Sequence, residues 1–117
     1  MEKEQELELK NFKISKNVLE LIVGLATSEV EGVAGLSGTM MDSIKDWIGK
    51  KQLTKGIKVS VEDNAFLVSV HVDLCYEYVI SDVAKKIQKN IKSILETMTG
   101  TGVRTVDVFI NNISFYE

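Results

Sequence analysis

The chain has 117 residues, with 14 Lys and Arg against 17 Asp and Glu, one His, one Cys and no Pro. That length suits one domain with a sizeable core; a lone Cys excludes an internal disulfide, and one His with one Cys excludes a His/Cys zinc site within a single chain. No run approaches the ~18 apolar residues of a membrane-spanning helix, and the start, Met1-Glu2-Lys3-Glu4, is the opposite of a secretory leader, so the expectation is a cytoplasmic protein.

Residues 1–8 alternate charges with little apolar content and are read as a flexible acidic tail. The single α+β domain is then 9–117. Leu9 to Ile14 suits a short strand, and Ser15 is a helix N-cap, its hydroxyl able to accept from an unpaired N–H. Val18, Leu19, Ile22, Leu25, Ala26 and Val30 predict a helix over about 16–31, which Gly32 ends. Residues 32–38 read as a flexible connection. Met40, Met41, Ile44, Trp47 and Ile48 fit one face of a short helix, with Asp42, Lys45, Asp46 and Lys50 largely opposite.

A hairpin follows. Ile57, Val59 and Val61 alternate with polar residues, Asp63-Asn64 turns the chain, and the return strand puts Phe66, Val68, Val70, Val72, Leu74 and Tyr76 on one face. Leu67, Ser69, His71, Asp73 and Cys75 share the other. A second long helix is predicted over about 80–98 from Val83, Ile87, Ile91, Ile94 and Leu95, with Gly100 and Gly102 ending it. Val106, Val108 and Ile110 make a last strand, and Asn111-Asn112 suggests a bulge or turn. The order predicts a two-layer α+β fold: a mixed sheet with two main helices, plus the short one, on one face.

No catalytic constellation stands out. His71 and Cys75 share a strand face, but four residues at ~3.3 Å each put their Cα atoms ~13 Å apart, too far for nucleophile activation at roughly 3 Å. Gly32, Gly35 and Gly38 follow a helix instead of opening one, unlike a phosphate loop. Gly32-Val33-Ala34-Gly35 between two predicted helices also matches the order of an RNA-clamping GxxG loop. Glu29 and Glu31 oppose phosphate there. Two basic stripes remain: Lys85, Lys89 and Lys92 on the second helix with Lys86 beside them, and Lys45, Lys50, Lys51, Lys55 and Lys58 around Trp47. Either suits an anionic surface or a partner, or simply a solvated helix face.

The motifs taken together have a resemblance. Ile14-Ser15, Glu29-Val30-Glu31-Gly32-Val33, Lys55-Gly56-Ile57-Lys58-Val59 and Ile80-Ser81-Asp82-Val83-Ala84 come in order, followed by Ile87-Gln88, Met98-Thr99-Gly100, Val103 and Val106-Asp107-Val108. Over about 12–115 the chain is similar to the alkaline-shock and Gls-type general stress proteins of mainly Gram-positive bacteria. The resemblance implies a small α+β cytoplasmic protein without known catalysis, tied to envelope homeostasis and stress and often self-associating. It carries Glu29, Gly32, Val33, Met98, Thr99 and Gly100 as motif residues. Glu77 stands where the family often has Gly, and Asp107 where Asn is common.

The expectation is therefore a non-enzymatic interaction protein needing no cofactor or metal. It would form a homo-oligomer and dock to an envelope-associated partner or the inner membrane face. Leu67, His71, Cys75 and Phe109 on the open sheet face, or Trp47 and the lysines, would supply the interface. The alternative is an RNA-binding module using the basic helix and Gly32–Gly35, with nucleic acid the less favoured partner.

Overall fold

The computed structural model describes residues 5–36 and 55–115. Within them the chain forms β1 (Glu6–Glu8), β2 (Lys13–Ser15), α1 (Lys16–Ser28), β3 (Val33–Leu36), β4 (Ile57–Glu62), β5 (Ala65–Cys75), α2 (Ile80–Thr99) and β6 (Val103–Ser114). The expected short helix over 40–48, with Trp47, lies outside the described residues.

The strand β5 is the centre of the main sheet. Along one edge it pairs antiparallel with β4 through Ala65–Val70 and with β3 through Val72–Leu74. Along the other it pairs parallel with β6, from Phe66 to Cys75. A parallel pair needs a crossover connection, and α2 provides it. The sheet is therefore mixed, and α1 and α2 pack together over one of its faces, as the order of elements predicts.

Period-2 patterning places the core. Phe66, Val68, Val70, Val72 and Leu74 are buried on the helix side of β5. Ile57 and Val59 from β4, Leu19 and Val23 from α1, and Val83, Ile87, Ile91 and Leu95 from α2 complete the cluster. Each such side chain contributes roughly 1.5–3 kcal/mol by leaving water.

Local chemistry sets the ends of the elements. Ser15 caps α1, its Oγ accepting from the N–H of Asn17 at 3.1 Å and of Val18 at 3.4 Å. Asp63 and Asn64 have φ of 52° and 60°, the two positive values of a type I′ hairpin turn. Gly100, at φ 73°, ends α2 in the left-handed conformation and donates to the Glu96 carbonyl at 2.9 Å. Thr99 Oγ1 donates to the Leu95 carbonyl and accepts from Thr101 N–H, so the Met98-Thr99-Gly100 motif is a helix stop.

Three expectations change. Glu6–Glu8, read as tail, pairs in register with Lys13–Ser15. Backbone pairing there overrides the charged side chains, which point to solvent around the half-buried Leu7. Helix α1 ends at Ser28 instead of about 31, where the Glu29 N–H closes on the Leu25 carbonyl. The connection read over 32–38 begins as strand β3, because the edge of β5 beyond its pairing with β4 offers unpaired backbone groups to Val33–Leu36.

Candidate interaction surfaces

The face of the sheet opposite the helices carries His71, with Leu67 and Cys75 on the same side of β5 and Phe109 beside it on β6. The rings of His71 and Phe109 stack with centroids 4.6 Å apart and planes 14° from parallel. His71 Nδ1 lies 3.3 Å from Asn111 Oδ1, and a register shift in the β5–β6 pairing beside Asn111 is the irregularity expected at Asn111-Asn112. Phe109 remains 45% exposed. His71 and Cys75 sit four positions apart on one straight strand, so the spacing that separates them in the sequence separates them in the fold.

The α2 lysines Lys85, Lys86, Lys89 and Lys92 are exposed. Among the described residues none pairs with a carboxylate, whereas Arg104 meets Glu62 at 3.5 Å and Asp63 at 3.7 Å. Their surroundings are nevertheless mixed. A shallow groove of about 380 Å³ at the end of α1 is lined by Glu29 and Glu31 together with Lys86 and Lys89. A second along α2 joins Lys89 and Lys92 to Glu96. The basic stripe thus reads as alternating charge, which suits a polypeptide better than a uniform anionic plane.

The glycine loop does not survive as an RNA clamp. Val33–Leu36 is a strand, Gly35 stands opposite Asp73 in the ladder, and the Gly32 carbonyl accepts from Cys75 N–H at 2.8 Å. Backbone groups committed to a sheet are withdrawn from phosphate.

The Glu29-Val30-Glu31-Gly32-Val33 motif instead builds a corner where α1 ends, β3 begins and β5 turns into α2. Glu29 is the C-cap residue of α1, and Val33 opens β3. Asn90 of α2 donates to the Ala26 carbonyl at 2.6 Å, satisfying a group in the last turn of α1. Gly32 adopts φ 102°, and a Cβ there would lie 2.9 Å from both Tyr78 Cδ1 and Val83 Cγ2. No other residue type fits beneath the Tyr78 ring without displacement. The Tyr78 hydroxyl donates to Glu31 Oε2 at 3.0 Å. Beside it the Tyr76 and Phe115 rings lie 5.0 Å apart, and Tyr76 N–H donates to the Ser114 carbonyl at 2.9 Å.

Glu77 lies between these tyrosines at φ 81°, so the position where the sequence departs from a common Gly is a left-handed turn position. The aromatic residues of this corner were not singled out by sequence reasoning. The available signal was Tyr76-Glu77-Tyr78-Val79-Ile80, a bulky run where a strand-to-helix turn ordinarily carries polar residues.

Of the remaining sequence-predicted residues, Leu67 is half-buried, Met98 is 65% exposed, and Trp47 lies outside the described residues. Among the described residues no group of three His, Cys, Asp or Glu could hold a metal ion. No helix there is long and apolar enough to cross a membrane.

Comparisons place the chain among known proteins. It is 31% identical over 111 residues to the uncharacterized protein YqhY of Bacillus subtilis, covering 95% of this chain and 82% of that one. It is 30% identical over 104 residues to the uncharacterized protein Spy1614 of Streptococcus pyogenes, covering 87% and 86%. A stress response regulator gls24 homolog of S. pyogenes is 26% identical over 101 residues, which are 86% of this chain and 56% of the relative. No solved structure matches. Residues 4–115 match the model of the alkaline-shock protein family, described by a cell envelope-related function, and the chain belongs to that family.

Proposed function

We propose that this protein is a non-enzymatic interaction module of stress-linked envelope homeostasis, acting in the cytoplasm or at the inner membrane face. It self-associates and docks to an envelope-associated partner. The single observation that carries the reading is the one-sided sheet. Helices bury one face, while the other presents the stacked His71 and Phe109 to water. Non-obligate interfaces are aromatic-centred and polar-rimmed, which this face matches.

Light scattering of the purified protein, with Phe109→Glu as comparison, tests the self-association. The expected result is an oligomer that the variant dissociates while its circular dichroism is unchanged. A monomeric wild-type protein would remove the sheet face from the reading. Direct membrane docking through α2 is tested by flotation with anionic liposomes. Equal recovery of the wild type and the Lys85→Glu, Lys89→Glu double variant would exclude the lysines.

A further inference from the structure

We propose that the corner formed by the β5–α2 turn and the end of β6 is a docking surface for a polypeptide segment that places basic residues beside apolar or aromatic ones. This surface is separate from the open sheet face and stands whether or not that face mediates self-association.

Two independent observations meet there. The first is apolar exposure. Tyr76, Tyr78, Val79, Ile80 and Phe115 are 56%, 41%, 60%, 48% and 72% exposed. Four of them occupy one turn, and Phe115 packs on Tyr76. Single exposed apolar residues are ordinary, but a gathered patch marks an interaction site. Tyrosine and phenylalanine also lose little entropy when covered, which makes them effective interface anchors.

The second is charge. Glu77 lies inside the turn, Glu31 is held against Tyr78, Glu29 stands two residues earlier, and Asp82 is in the first turn of α2. No Lys or Arg occurs from Cys75 to Ala84 or from Glu29 to Leu36. The first cations along α2 are Lys85 and Lys86, one turn further on, with Lys86 and Lys89 lining the groove past Glu29 and Glu31. An aromatic patch rimmed by carboxylates repels an anionic bilayer and nucleic acid alike. It complements cations set next to apolar groups, which can also lie over the tyrosine faces.

The test uses the whole chain and a fluorescein-labelled peptide of alternating Lys and Phe, with counterparts carrying Glu or Ser in place of Lys. Anisotropy is expected to show saturable binding of the Lys–Phe peptide that weakens with salt, the Ser peptide binding more weakly and the Glu peptide not at all. Binding is expected to fall about tenfold in a Glu77→Gln, Asp82→Asn double variant, about 1.4 kcal/mol of affinity. Phe115→Ser, which changes a largely exposed side chain, is expected to weaken binding comparably. Phe109→Glu is expected to leave it unchanged, which separates the corner from the sheet face. Amide NMR shifts confined to residues 76–82 and 112–115 would support the assignment. Equal binding of the Lys and Glu peptides, insensitivity to both corner variants, or association with phosphatidylglycerol vesicles in place of the peptide would overturn it.

Discussion

The Tyr78 hydroxyl reaches Glu31 at 3.0 Å while its ring lies over Gly32, so two residues 47 positions apart in the chain close one corner of the domain. The contact ties the end of α1 to the start of α2 through a side chain that is itself 41% exposed.

Gly32 and Gly100 both have positive φ, yet their substitution should differ. Gly32→Ala meets backbone strain and two side-chain atoms at 2.9 Å, and is expected to cost about 2–4 kcal/mol. At Gly100 nothing lies within 4 Å of an added Cβ, so Gly100→Ala meets only the left-handed strain, about 1–2 kcal/mol. Urea denaturation of both variants checks the order.

Glu77→Gly should stabilise the protein. The strain at φ 81° is worth about 1–2 kcal/mol, and the greater freedom of glycine in the unfolded chain offsets about 0.4–1 kcal/mol of it. A net gain of about 0.5–1 kcal/mol is expected, read as a higher urea midpoint with the same slope. Glu77→Ala, which keeps the strain, should show no such gain.

Asn90→Ala removes the donor that satisfies the Ala26 carbonyl near the end of α1. Leaving a part-buried acceptor unpaired costs about 1–3 kcal/mol. Amide hydrogen exchange should accelerate first in the last turn of α1, which distinguishes this loss from general destabilisation.

Burial raises the Glu20 carboxyl above its ordinary value near 4.5, and Lys16 opposes the shift in part. The folded protein therefore holds this proton more tightly than the unfolded chain, and the contribution to stability falls as pH rises from about 4.5 through the raised value. Glu20→Gln should flatten that decline and leave the protein more stable at pH 7. Chemical denaturation at about pH 4.5 and about pH 7 measures it, and an unchanged pH slope would contradict the assignment.

Elements with strong periodicity were legible: Ile57 to Val61, Phe66 to Leu74, and Val83 to Leu95 lie where their patterns place them. The turn at Asp63-Asn64 was legible because its two residues tolerate positive φ. Strands β1 and β3 were not. Glu6-Leu7-Glu8 has one apolar side chain, and Val33-Ala34-Gly35-Leu36 contains a residue poor in strands; each is strand because a neighbour's backbone needs a partner. The candidate surfaces divide similarly. His71 and Leu67 were placed together by alternation on one strand. The corner draws on Glu31, Gly32, Tyr76, Tyr78 and Phe115, which meet only once α1, β5 and β6 end at the same place.

Strand β5 takes hydrogen bonds from three others, and its parallel neighbour is the last to be made. During synthesis its second edge stays open while α2 and then β6 leave the ribosome. The domain is thus completed from its C-terminal strand, and a chain halted before Val103 exposes Val- and Phe-rich backbone edge ready to pair with another chain. A missense change in β6 would therefore act first on solubility in the cell, before any surface of the folded protein is altered.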